Sequence, residues 1–162
     1  MLERVVIDSL RFAESRDELT LNVAMAELPR LAAALSSTQG ELQFSLRGME
    51  IGRDQLGLHL ELTGTLQLAC QRCLGGIFFP LRHARMFCLT DKSPENVADE
   101  DPGVDFLPLN QKLDVLDLVE EEAMLSLPLA PMHATGQCEE ASGALGLRKE
   151  PSPFSGLYRL KL

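Results

Sequence analysis

At 162 residues with a formal net charge of −9, the chain is long enough for one domain with a sizeable core. It is too acidic for an autonomous nucleic-acid binder, whose affinity comes from neutralising phosphates, and its charge favours a basic protein partner or a local basic patch. No run approaches a membrane span, and Met1-Leu2-Glu3-Arg4 opens nothing like a signal peptide, so the chain reads as cytoplasmic. Four cysteines in that setting argue against a disulfide framework and leave metal binding, buried thiols or redox chemistry.

Residues 1–17 carry an apolar start, Val5-Val6-Ile7, without a clear period. From Glu18 to Leu28, Leu19, Leu21, Val23 and Met25 fall on one face, which predicts a strand. Pro29 suits the first turn of a helix, and the alanine-rich Arg30 to Leu35 supplies a short one. Ser36 to Gly40 is a loop by composition.

Glu41 to Ile51 predicts a second strand, with Leu42, Phe44 and Leu46 in one phase and Met49 and Ile51 in the other. A bulge at Gly48 would keep both sets facing inward. Gly52-Arg53-Asp54 then turns into the longest alternation of the chain, Leu56, Leu58, Leu60, Leu62, Leu66 and Leu68. Gly64 interrupts it and marks a bulge or bend. Cys70 continues the buried phase, and Gly75-Gly76 turns the chain back, so Cys70-Gln71-Arg72-Cys73 is a knuckle capping a hairpin. Ile77 to Leu89 is a third apolar run of ambiguous phase, broken by Arg82, His83 and Arg85, and Cys88 within it reads as core.

Asp91 to Asp105 carries six acids and reads as a mobile linker, and Phe106 to Leu109 as a short returning strand. Leu113, Leu116, Val119, Ala123, Met124 and Leu127 approximate one helical face, with Glu120-Glu121-Glu122 largely solvated and Asp114 able to cap the first turn. Pro128 and Pro131 end that helix, and glycine, serine and proline dominate from Gly136 onward. The expected architecture is α+β, an antiparallel meander that Gly48 and Gly64 could curl towards a barrel, packed against one long helix. Residues 1–135 form the domain, with the acidic loop at 91–105, and 136–162 form a flexible tail.

Cys70-x-x-Cys73 has zinc-knuckle spacing, and His133 with Cys138 would complete a Cys3His site tying the tail to the hairpin. Against this stands a plainer reading, with Cys70 a small buried hydrophobe and Cys73 an exposed thiol. A thiol–disulfide centre is the weaker alternative, because no helix follows to lower a thiol pKa. Arg72, Arg82, His83 and Arg85 form a cationic cluster that could face RNA phosphate or an acidic partner, or pair with Glu120, Glu121 and Glu122. No phosphate loop or nucleophilic set is present, and nothing requires an enzyme.

Cys70-Gln71-Arg72-Cys73-Leu74, Asp117-Leu118-Val119-Glu120-Glu121-Glu122, Leu127 to His133, Cys138-Glu139 and Pro151-Ser152-Pro153-Phe154, in that order, resemble the large ribosomal RNA subunit accumulation protein family, YceD. The resemblance runs from about the leucine strand to the C-terminus. It implies a bacterial cytoplasmic, non-enzymatic factor supporting synthesis, processing or stability of 23S rRNA. Some branches carry a fuller cysteine-rich segment after the helix, resembling a zinc site, where this chain keeps His133 and Cys138. On physical grounds an acidic domain with a cationic edge suits a basic ribosomal protein or a large-subunit assembly intermediate, on which the tail could order with Phe154, Leu157 and Tyr158 as apolar anchors. The alternative is a small, zinc-stabilised interaction module binding another basic protein.

Overall fold

The computed structural model describes residues 4–51, 55–91, 105–109 and 112–138. The expectations for the hairpin turn at Gly52, for most of the acidic stretch, and for Phe154 and Tyr158 fall outside these residues.

Five strands form one sheet in the order β2-β3-β4-β5-β6, with β2 Glu18–Ala24, β3 Glu41–Glu50, β4 Leu56–Ala69, β5 Gly76–Thr90 and β6 Asp105–Pro108. The first four are an antiparallel meander, as expected. β6 is not: Phe87 to Thr90 pair in parallel with Asp105 to Pro108. The sheet stays open rather than closing into a barrel. A separate two-stranded ribbon pairs β1, Val6–Ile7, with β7, Leu113–Asp114, and ties the N-terminal segment to the start of helix α3, Val115–Leu125. Among the described residues no helix is long and apolar enough to cross a membrane.

The ladders explain which side chains are buried. Leu42, Phe44 and Leu46 of β3 stand opposite Gly64, Leu62 and Leu60 of β4, and all the large ones are fully buried. Cross-strand partners share a face, so this register puts one continuous apolar surface under the helices. Each leucine enclosed there stabilises the fold by roughly 2 kcal/mol through area removed from water. The opposite face carries Thr20, Gln43, Ser45, Glu61 and Thr63 and is solvated.

The bulge expected at Gly48 is absent, and Gly64, read as a bulge or bend, carries no bulge. Pairing runs unbroken through Gly48↔Leu58 and through Gly64↔Leu81. Gly48 simply continues the buried phase, and Met49 and Ile51 are only half-buried. Its reason to be glycine is α1, Ser9–Glu14, which crosses so closely that an added Cβ would collide with the Phe12 carbonyl and the Ala13 Cα. Backbone cannot yield as a side chain can. Gly48→Ala is therefore expected to cost roughly 2–3 kcal/mol, read as a lowered urea midpoint at constant slope.

Other boundaries shift for local reasons. β2 stops at Ala24, because Met25–Glu27 winds into a 3-10 turn that feeds Pro29 into α2, Pro29–Ala34. Residues 1–17, without a legible period, supply β1 and α1, the latter capped by Asp8, which accepts from the Arg11 N–H. Helix α3 begins as expected, with the Asp114 carboxylate accepting from the Leu116 and Asp117 N–H groups.

The acids of α3 are not solvated as expected. Glu120 is 3% exposed and Glu122 5%, whereas Glu121 faces water. Helix α2 has no side-chain cap of its own. The Glu120 carboxylate takes that place from another helix, accepting from the Arg30 N–H at 2.6 Å, the Leu31 N–H at 3.1 Å and Arg30 Nε at 2.9 Å. Glu122 points the other way, onto β5, 2.9 Å from His83 Nε2.

Candidate metal centre

β4 ends at Ala69 and β5 starts at Gly76, leaving the knuckle between them. Two backbone bonds shape it, Leu74 N–H to the Cys70 carbonyl at 2.9 Å and Cys70 N–H to the Gly75 carbonyl at 2.8 Å. Closing so tightly drives Leu74 to φ +61°, a left-handed conformation costing a non-glycine residue about 1 kcal/mol. The chain leaving α3 then returns to the knuckle. Gln71 donates its N–H to the Pro131 carbonyl at 2.9 Å, which carries His133 and Cys138 alongside.

The four side chains singled out by spacing meet here. One ligand atom from each of Cys70, Cys73, His133 and Cys138 lies within 4.8 Å of all the others. Cys70 Sγ is 3.8 Å from Cys138 Sγ, Cys73 Sγ 3.3 Å from His133 Nδ1, and Cys138 Sγ 3.8 Å from the same nitrogen. A disulfide would need about 2.05 Å. Four ligands around zinc, with Zn–S near 2.3 Å, set sulfurs roughly 3.8 Å apart as edges of a tetrahedron. The donor set and its spacing therefore fit zinc, and a bound ion would hold the post-helix segment on the hairpin.

The surroundings prepare the donors. His133 Nε2 lies 3.2 Å from the Gly76 carbonyl, so that nitrogen carries the proton and Nδ1 is left to face the sulfurs. Arg72 donates its N–H towards Cys70 Sγ at 3.4 Å and its Nε–H to Cys138 Sγ at 3.0 Å. Three thiolates and a divalent cation sum to one negative charge, which the Arg72 guanidinium offsets. Burial pushes the Cys70 thiol up, but backbone groups of Cys73, His133 and Arg72 outweigh it and hold the thiol at about 5. The Gly75 backbone pulls Cys73 down, while burial and the neighbouring Cys138 and Cys70 sulfurs push it further up. His133 is raised by Cys138 and Cys70.

The expected cationic cluster is dispersed. Arg72 is spent on the sulfur site and on the His133 and Ala134 carbonyls. Facing in β5 alternates, so His83 and Arg85 share the face of Leu81, Arg85 remaining exposed, while Arg82 lies on the other face, opposite Thr63. There the half-buried His83 meets the buried Glu122, while the exposed Arg85 pairs with Asp105 and approaches Glu122 at 4.0 Å. These polar side chains on the core side of the strand explain why β5 lacks a clean phase. Of the acids weighed as partners, Glu122 takes His83 and Arg85, and Glu120 takes Arg30 instead. Sequence reasoning weighed a pairing of this cluster with the helix acids, which Glu122 bears out, but missed the capping of α2 by Glu120 and the service of Arg72 to the sulfurs. Three consecutive acids sweep roughly 200° of a helix, so they could not all share its solvent face.

The family model described as large ribosomal RNA subunit accumulation protein YceD matches residues 58–161. The chain belongs to the YceD family. The match starts in β4 and contains all four clustered residues and α3, while β2 and β3 lie before it. Over 170 aligned positions the chain is 27% identical to the large ribosomal RNA subunit accumulation protein YceD of Haemophilus influenzae, covering 97% of this chain and 95% of that one. No solved structure matches this YceD-family chain.

Proposed function

We propose that the protein is a non-enzymatic, cytoplasmic factor in large ribosomal subunit biogenesis, supporting the accumulation of 23S rRNA. The observation that carries this reading is the YceD match, which spans the knuckle, α3 and the segment clamped between them. In this reading zinc at Cys70, Cys73, His133 and Cys138 acts structurally, fixing a surface rather than activating a water. The partner is a basic ribosomal protein on an assembly intermediate rather than bare rRNA. Three of the four cations that might have faced phosphate are occupied within the fold, and the chain carries a net −9.

The test is the ratio of 23S to 16S rRNA in depleted cells rescued with wild type or with Cys70→Ser/Cys73→Ser. The ratio is expected to fall on depletion and recover with wild type alone. Recovery with both would keep the ribosomal role and remove the metal centre from it. An unchanged ratio on depletion would overturn the reading.

A further inference from the structure

The four donors of the cluster are not held alike. Cys70 and Cys73 sit in the knuckle itself, where backbone bonds close the connection between β4 and β5. His133 has anchors of its own. Gln71 donates to the Pro131 carbonyl just before it, and His133 Nε2 lies 3.2 Å from the Gly76 carbonyl. Among the described residues Cys138 has no such backbone tie to the hairpin. A short turn delivers it, with Gln137 donating its N–H to the Ala134 carbonyl at 3.0 Å and Gly136 in the left-handed region at φ +83°.

Apart from contacts among the donor atoms themselves, the bonds that fasten this turn to the knuckle come from the Arg72 side chain. Its guanidinium spans the turn. Nη2 donates to the His133 carbonyl at 3.3 Å and reaches the Ala134 carbonyl at 3.5 Å, where the turn begins. Nε–H meets the Cys138 sulfur at 3.0 Å, where it ends. Arg72 is exposed, and an exposed arginine ordinarily keeps its freedom in water, yet this one commits both nitrogens to a single segment.

Charge gives that placement a consequence. Two thiolates and a neutral imidazole already balance a divalent ion, and a site with three protein ligands keeps an open position for water. A third thiolate adds a negative charge beside the other two and needs a cation facing it. Arg72 supplies that cation to the Cys138 sulfur. We propose that Arg72 makes Cys138 the fourth ligand, closing to water a centre that Cys70, Cys73 and His133 alone would leave open. The proposal rests on the zinc reading of the cluster and assigns the residue that keeps the centre structural. Arg72 acts through Cys138 and is a positioning residue, not a ligand.

The test uses the full-length chain, loaded with zinc against a chromogenic chelator and, separately, with cobalt(II) as a spectroscopic substitute. Arg72→Ala is expected to bind zinc about ten-fold or more weakly than wild type. Its cobalt form should lose about a third of the sulfur-to-metal charge-transfer intensity, one thiolate of the three in the cluster. In the zinc-loaded variant, iodoacetamide should modify Cys138 and spare Cys70 and Cys73, whereas wild type protects all three. Arg72→Lys keeps the charge but not the planar fork that reaches sulfur and carbonyls together, and should fall between the two. Arg82→Ala, which removes an exposed arginine from the other face of β5, should match wild type. Undiminished affinity and charge-transfer intensity in Arg72→Ala would overturn the proposal. Equal exposure of all three cysteines would overturn it too, since Arg72 would then support the whole knuckle rather than one ligand. A wild type that took up neither metal would overturn the zinc reading itself, and the proposal with it.

Discussion

Changing Cys70 and Cys73 together to serine is expected to strip zinc from the purified protein and lower its Tm by on the order of 10 °C. Metal content by elemental analysis and a thermal melt check the two halves separately. Serine keeps the size of each side chain but offers no thiolate, and Cys138 with His133 alone cannot complete a tetrahedral site. The loss extends beyond the knuckle, because the same four residues hold the chain after α3 against the hairpin. Cys88→Ala is the control. That residue is buried in β5 away from the cluster, so its variant should keep the metal. If the double variant kept zinc, or lost it with an unchanged melt, the cluster would not be a structural centre.

Glu120→Ala is the second large effect, expected to cost about 3 kcal/mol of unfolding free energy by urea titration. Alanine leaves the Arg30 and Leu31 N–H groups at the start of α2 without the acceptor that now caps them, one of them buried. It also removes the carboxylate partner of the Arg30 guanidinium, leaving that group the Asp117 carbonyl at 3.3 Å. Glu120→Gln retains one acceptor oxygen and should lose less. Glu121→Ala, one position along and solvated, should change stability by less than about 0.5 kcal/mol. Equal losses at 120 and 121 would show that α3 merely tolerates acids rather than using one.

The contrast between neighbouring glutamates shows where sequence reasoning stops. Period-two alternation in β3 and β4 was legible, since every even leucine from 58 to 68 is indeed buried. The sulfur site was legible too, because ligand chemistry restricts residue types and spacing tightly. What local pattern could not reveal was the neighbour across space. Gly48 resembled a bulge because only the passage of α1 over it, thirty-odd residues away in sequence, explains the missing side chain. His83 and Arg85 could be read either as a surface patch or as partners of the helix acids, and only the packing of α3, which no strand period encodes, selects Glu122. β6 pairs in parallel for a similar reason, as its register depends on where an intervening connection returns the chain. Burial of charge is settled pairwise, and sequence periodicity reports only one member of each pair.

The 68-residue separation between Cys70 and Cys138 bears on synthesis. Each hairpin of the meander joins strands adjacent in sequence and can form as the chain emerges, with modest loop-closure entropy. The ligand set cannot. Cys70 and Cys73 leave the ribosome early and remain an incomplete pair, open to the wrong metal or to each other, until Cys138 has followed. Tetrahedral binding of an ion by these four residues would thus record that the long central span has been translated and its two ends brought together. A nascent chain halted before residue 138 would expose two unsatisfied thiols, the chemical mark of an unfinished molecule.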